Sequence, residues 1–133
     1  SDDGRGFIVK SDDVLAQTKA GKQVLNVEGR AEAQLCLPLD PAHDHLATIG
    51  SNRKMLAFPL NQIPEMAKGK GVILQKIRDG NLSDARAFTR AQGLTFTNAK
   101  GSVQTVSDIA AWLGERAQAG HLPPNGFPKN NRF

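Results

Sequence analysis

Sliding the chain along itself by 48 residues lays like onto like: Leu15 falls on Ile63, Gly21-Lys22 on Gly69-Lys70, and Val24-Leu25 on Val72-Ile73. A slide of 47 sets Ile49 on Phe96 and Leu56 on Val103, so the spacing drifts by one residue. Periods of roughly 40 to 50 residues hold about four short strands each and mark radial blade arrays, because a lone blade cannot bury both of its faces. The 133 residues form one domain of about two and a half to three four-stranded blades, with approximate repeats 1–52, 53–101 and a partial 102–133. An open array of this kind leaves terminal edges that something must cover.

Local patterning agrees with an all-β chain. Short apolar or alternating runs recur at Phe7-Ile8-Val9, Val24-Leu25-Asn26-Val27, Leu46-Ala47-Thr48-Ile49, Met55-Leu56-Ala57-Phe58 and Val72-Ile73-Leu74. Others follow at Ala85–Thr89, Leu94–Thr97 and Ser102–Val106. Gly50-Ser51-Asn52, Asp79-Gly80-Asn81 and Asn98-Ala99-Lys100-Gly101 supply connectors of hairpin length. One segment departs from this pattern. Ser107-Asp108 can cap a short C-terminal helix with Ile109, Trp112 and Leu113 on one face, ending before Gly120 and Pro123-Pro124, with Trp112 as a core anchor. From His121 to Phe133 the tail is expected to be extended, either docked through Phe127 or loose.

The opening Ser1-Asp2-Asp3, without Met or a charged-then-apolar leader, suggests a soluble piece of a longer polypeptide, and no run of apolar residues is long enough to cross a membrane. A single cysteine, Cys36, forms no internal disulfide; placed between Leu35 and Leu37, it is expected to be a buried, inert thiol of a cytoplasmic protein. Charge is distributed unevenly. Residues 1–52 carry five Lys/Arg against eight Asp/Glu, whereas residues 53–100 carry nine against three. A basic middle segment is an electrostatic footprint for a polyanion, set against the plainer reading of a solvated face.

Motifs for chemistry are sparse: the chain has no GxxxxGK[ST], GxGxxG, CxxC or GxSxG. His43-Asp44-His45 lacks a third ligand nearby, so no metal site is expected, and a hydrolase built on His43 and Asp44 would lack a nucleophile. Two glycine-lysine segments occupy equivalent points of the repeat, Gln17–Gln23 and Glu65–Gly71. Glycine lets backbone N–H groups approach a ligand and lysine adds charge without fixed geometry, which suits phosphates of varied sequence; the alternative is a solvated turn. The candidate duplex-DNA contacts are Lys19, Lys22, Arg53, Lys54, Lys68, Lys70, Lys76 and Arg78, with Arg86 and Arg90 as secondary candidates. A propeller-like module that binds an acidic protein partner is the rival reading.

Gly50–Phe58, Ile63-Pro64-Glu65 and Lys68–Val72 resemble blades of the C-terminal domains of gyrase and topoisomerase IV A subunits, and the likeness extends over essentially the whole chain. Trp112, Gly114–Gly120 and Leu122–Pro128 resemble the end of the α-proteobacterial topoisomerase IV members. The resemblance implies a β-pinwheel, a propeller-like array with strands exchanged between blades, whose basic rim holds DNA and helps the parent enzyme select supercoiled or linked DNA. Gyrase members carry a QRRGGKG box associated with wrapping. Here Gln17, Lys19, Gly21 and Lys22 match four of its positions, and Gly69, Lys70 and Gly71 match the last three, which favours the topoisomerase IV branch. The resemblance further implies an A2B2 complex whose B subunit binds ATP and magnesium, and no cofactor or catalytic residue in this fragment. The family reaction uses a tyrosine, and this chain has none.

Overall fold

The fold, a computed structural model, describes every residue from Ser1 to Phe133. Seven strands follow in order: β1 (Arg5–Gly6), β2 (His45–Gly50), β3 (Met55–Pro59), β4 (Val72–Ile73), β5 (Leu82–Phe88), β6 (Leu94–Thr97) and β7 (Val103–Val106). They make a central antiparallel sheet in the order β3-β2-β5, flanked by the pairs β1-β4 and β6-β7. Elements recur at the spacing of the repeat. A 3-10 turn at Ser11–Val14 is matched by one at Leu60–Gln62, and the β2-β3 hairpin by the β6-β7 hairpin.

The central sheet is buried on both faces, which explains why all six residues of β2 are inaccessible. Alternation divides its side chains between two cores. Ala47, Ile49, Met55 and Ala57 join Phe88, Leu94, Phe96, Ile109 and Phe127 on the side of the β6-β7 hairpin. Leu46, Leu56 and Phe58 join Ile63, Leu74 and Ala85 on the other side, where Ile8 and Val72 also pack. Each large apolar side chain withdrawn in this way contributes roughly 1.5–3 kcal/mol. A blade-like sheet between two neighbours is therefore the centre of stability.

Beside this core the chain exchanges segments. At the β1-β4 pair, Gly71 has φ +76 and a Cβ there would collide with the Gly6 backbone, so glycine is what permits the close crossing. The outer edge of β3 is closed by the C-terminal segment: Ala57 N–H donates to Trp112 O at 2.9 Å, Gly114 N–H to Ala57 O at 2.8 Å, and Met55 and His121 exchange bonds at 2.6 and 2.9 Å. This strap takes the place of a fourth strand. The structure thus shows three strands plus a strap where four regular strands were expected.

The expected C-terminal helix is absent. Asp108 Oδ1 does accept from Ala110 N–H at 3.1 Å, and the amides of Trp112 and Leu113 both donate to Ile109 O, but only one turn forms. Beyond it the backbone groups are committed to β3, and a helix cannot satisfy both sets of bonds. Trp112 still packs on the first core, with its indole N–H donating to Leu122 O at 2.7 Å. Two further expectations change. Cys36 is exposed, because residues 34–40 run outside regular strands, and Val24–Val27 yields only a bridge from Leu25 to Gly69. The tail is docked, with Phe127 only 3% exposed, its ring tilted against Phe96 at 5.0 Å and edge-on to Phe133 at 5.4 Å.

Candidate nucleic-acid interface

The β2-β3 turn and the loop after β4 lie against each other. Ser51 and Asn81 are joined by Ser51 N–H to Asn81 O at 2.8 Å and Asn81 N–H to Ser51 Oγ at 3.0 Å, and Asn52 Nδ2 donates to Arg78 O at 3.0 Å. Gln75, fully buried, donates from Nε2 to Lys54 O at 2.9 Å and to Ala119 O at 3.0 Å. These bonds bring Lys54, Lys76 and Arg78 to one pair of facing turns. Lys76 and Arg78 are exposed and Lys54 is half-buried. None of the three makes an ion pair, since the Lys and Arg pairs of the fold are Arg5–Asp3, Lys10–Glu65 and Lys70–Glu28.

Backbone donors add to the charge. The amides of Asn52, Ile77, Arg78, Asp79 and Gly80 donate to no protein group, and the tip turns through Asp79 at φ 56. Free N–H groups on a left-handed turn beside unpaired cations suit the oxygens of a phosphate. The amide row was not among the sequence candidates. Its signal was there in the Asp79-Gly80-Asn81 turn, directly after Lys76-Ile77-Arg78.

The two glycine-lysine segments adopt different structures. The first makes an exposed turn, closed by Gly21 N–H to Thr18 O at 3.1 Å, that leaves Lys19 and Lys22 in solvent. The second is extended: Gly69 exchanges bonds with Val24 and Asn26, so the backbone after the first segment runs beside the second. Lys68 is exposed and unpaired there, whereas Lys70 Nζ sits 3.0 Å from Glu28 Oε1 and its charge is partly offset. Gly71 meets neighbouring backbone, so that glycine serves packing.

Arg53 shares the β2-β3 turn with Lys54 but sends its side chain to the C-terminal tail. Its guanidinium donates to Pro128 O at 2.5 Å, Asn131 Oδ1 at 2.9 Å and Phe127 O at 2.9 Å, and lies 5.9 Å from the Phe127 ring centre. The side chain is occupied by the tail. Arg86 is exposed and donates to Thr95 O at 3.1 Å, while Arg90 is exposed and offers only its backbone N–H, to Asp44 Oδ1 at 2.8 Å. His43 Nδ1 accepts from Asp40 N–H at 3.2 Å, and no group of three metal-ligating side chains gathers anywhere in the fold.

A family described as "DNA gyrase C-terminal domain, beta-propeller" matches residues 1–33 and 44–84, just over half of the chain. The A subunit of DNA topoisomerase 4 from Rickettsia bellii is 48% identical over 130 residues, 98% of this chain and 17% of that protein. Its counterpart of the same name from Caulobacter vibrioides is 45% identical over 130 residues, with the same coverages. The chain therefore spans about a sixth of the length of these relatives. Among solved structures, the E. coli ParC C-terminal domain superposes with a TM-score of 0.79 at 25% identity, covering 96% of this chain and 55% of that one. No helix here is long and apolar enough to cross a membrane. With both the family match and the central three-stranded sheet in hand, the chain belongs to the gyrase A C-terminal domain family, with its β-propeller, or pinwheel, fold.

Proposed function

We propose that this chain is a non-catalytic duplex-DNA-binding unit of a topoisomerase IV A subunit, gripping the phosphate backbone with little regard for sequence. The observation that carries the reading is the group of Lys54, Lys76 and Arg78 on one pair of facing turns, free of ion pairs and next to a row of free amides. Lys68, Lys19 and Lys22 extend the positive surface, while Lys70 contributes less because Glu28 accompanies it. Exposed lysines without fixed partners position a duplex and read no bases.

Relatives matching nearly the whole of this chain are topoisomerase 4 A subunits, which supports placing it in such a protein. In that setting the unit carries no cofactor itself and presents DNA to an enzyme assembled as A2B2 in the cytoplasm, where ATP and magnesium are bound by the B subunit. A chain without tyrosine cannot form a tyrosine-DNA phosphodiester. The test is an anisotropy titration with duplexes of unrelated sequence at several salt concentrations. Neutralising five or so phosphates gives a slope of log affinity on log salt of roughly −4 to −5. Affinity that does not change between low and moderate salt would reject the reading.

A further inference from the structure

The central sheet has a second edge, and it stays open. Gly50 N–H donates to Lys54 O at 3.0 Å, which fixes the parity of the β2-β3 hairpin: residues 46, 48 and 50 of β2 bond to β3, and 45, 47 and 49 bond to β5. Asp84, Arg86 and Phe88 therefore bond inward to β2, and Ser83, Ala85 and Ala87 direct their N–H and C=O groups outward. Of these, Ser83 O receives Gln34 Nε2 at 3.2 Å, and Ala85 N–H turns to Asp84 Oδ1 at 2.9 Å. Ala85 O and both backbone groups of Ala87 find no protein partner. Ala85 is only 8% exposed and Ala87 is half-buried, and no strand lies beside these edge groups.

Alongside this edge runs a cleft of about 320 Å3 lined by Leu37, Pro38, His43, Asp84, Arg86 and the two alanines. The segment forming its far wall is anchored below, where Thr89 Oγ1 donates to Ala42 O at 2.8 Å. Pro38 has no N–H to give, and residues 34–40 form no strand, so this wall leaves β5 unpaired. The charges around the cleft are unequal in availability. Both Asp84 oxygens accept backbone N–H groups, from Ala85 and from Phe133 at 2.9 Å, whereas Arg86 faces no carboxylate within ion-pair range. His43 Nδ1 is taken by the Asp40 amide, which leaves Nε2 as the proton-bearing donor of the neutral ring.

We propose that the open edge of β5 docks an extended peptide of a partner protein, added as a further strand, with an acidic side chain held by Arg86. Strand addition supplies the missing partners of Ala85 O and Ala87, and Arg86, which has no carboxylate within ion-pair range, favours an acidic side chain beside it over a basic one. A DNA duplex cannot add to a backbone edge as a strand, so this site is separate from the proposed phosphate surface.

The test titrates the whole chain with an end-capped, fluorescein-labelled heptapeptide of alternating valine and glutamate. Two forms of it are N-methylated on alternate residues, in opposite registers. Saturable binding is expected, weakened by about tenfold or more by methylation in one register and little changed in the other, because each lost backbone bond costs about tenfold. Arg86→Glu should weaken binding about tenfold, and a valine-lysine peptide should bind about tenfold less tightly, as unfavourable charge juxtaposition dictates. Hydrogen exchange at the Ala87 amide should slow on adding the peptide, a reading that needs no variant to fold. No saturation at millimolar peptide, equal binding in both methylation registers, equal binding of the lysine peptide, or an Ala87 amide indifferent to peptide would each overturn the proposal. So would a chain dimer lost on Ala87→Pro, which assigns the edge to a second copy, or displacement of the peptide by duplex DNA. A failed phosphate-surface reading, by contrast, leaves every one of these peptide outcomes unaffected.

Discussion

Arg53 occupies the left-handed region at φ 69, and its three hydrogen bonds to the tail make it a clamp between the β2-β3 turn and residues 127–131. Bonds from a charged donor are worth about 1.5–3 kcal/mol, so Arg53→Ala should lower folding stability by about 2 kcal/mol in urea denaturation. Arg53→Lys should recover little of this, because an ammonium cannot reproduce the planar fork. Asp44 is a residue through which acid pH acts. The His45 ring nitrogen at 2.7 Å and the Arg90 amide at 2.8 Å hold its carboxyl below the usual carboxylate range. A depressed folded value means that the stabilisation is fully present above the unfolded value and disappears as pH falls through the folded one. Wild-type stability should therefore decline in the acid range below about pH 4, and Asp44→Asn should flatten that decline. An unchanged acid limb in urea titrations of the variant would remove Asp44 from this role.

The strap over β3 turns on Gly120, at φ +83, where a Cβ would strike the Met55 carbonyl and lie 3.2 Å from Leu56 N. Gly120→Ala should cost more than about 1 kcal/mol and speed hydrogen exchange at the Met55 and Ala57 amides ahead of those elsewhere in β2 and β3. The strap also shows where sequence patterning stops being informative. Runs at 46–49, 55–58, 85–88, 94–97 and 103–106 coincide with strands because short apolar or β-branched runs between turn residues are a property that a local window records. Ile109, Trp112 and Leu113 do bury apolar surface, as helical spacing requires, yet a single turn achieves it, and the distant β3 edge then claims the backbone. Long-range bonds of this kind leave no periodicity. The same holds for the interface: the excess of Lys and Arg over 53–100 was legible in the sequence, but which cations are free depends on partners 42 to 75 residues away, such as Glu28 for Lys70 and Pro128 for Arg53.

Across the whole molecule, the exchanged segments place the basic residues in two groups that differ in how much charge remains available. Lys54, Lys76 and Arg78 have no acidic partner, and the loop that carries two of them is held by Gln75 and Asn52, so their backbone positions are fixed before a ligand arrives. Lys68 and Lys70 lie among Glu28 and Glu65, the latter already paired with Lys10 at 3.5 Å. Reversing Lys76 and Arg78 to Glu removes two phosphate contacts, so the salt slope should become shallower by about two, with affinity lost evenly across DNA sequences. Lys68→Glu with Lys70→Glu changes formal charge equally, yet Lys70 gives up an existing ion pair, and the slope should change by about one. Exposed charges carry little folding energy, so both variants should melt near the parent temperature. Fluorescence anisotropy over a salt series checks the contrast. A larger effect from Lys68 and Lys70 than from Lys76 and Arg78 would move the phosphate surface to the glycine-lysine strand and leave the facing turns with a purely structural role.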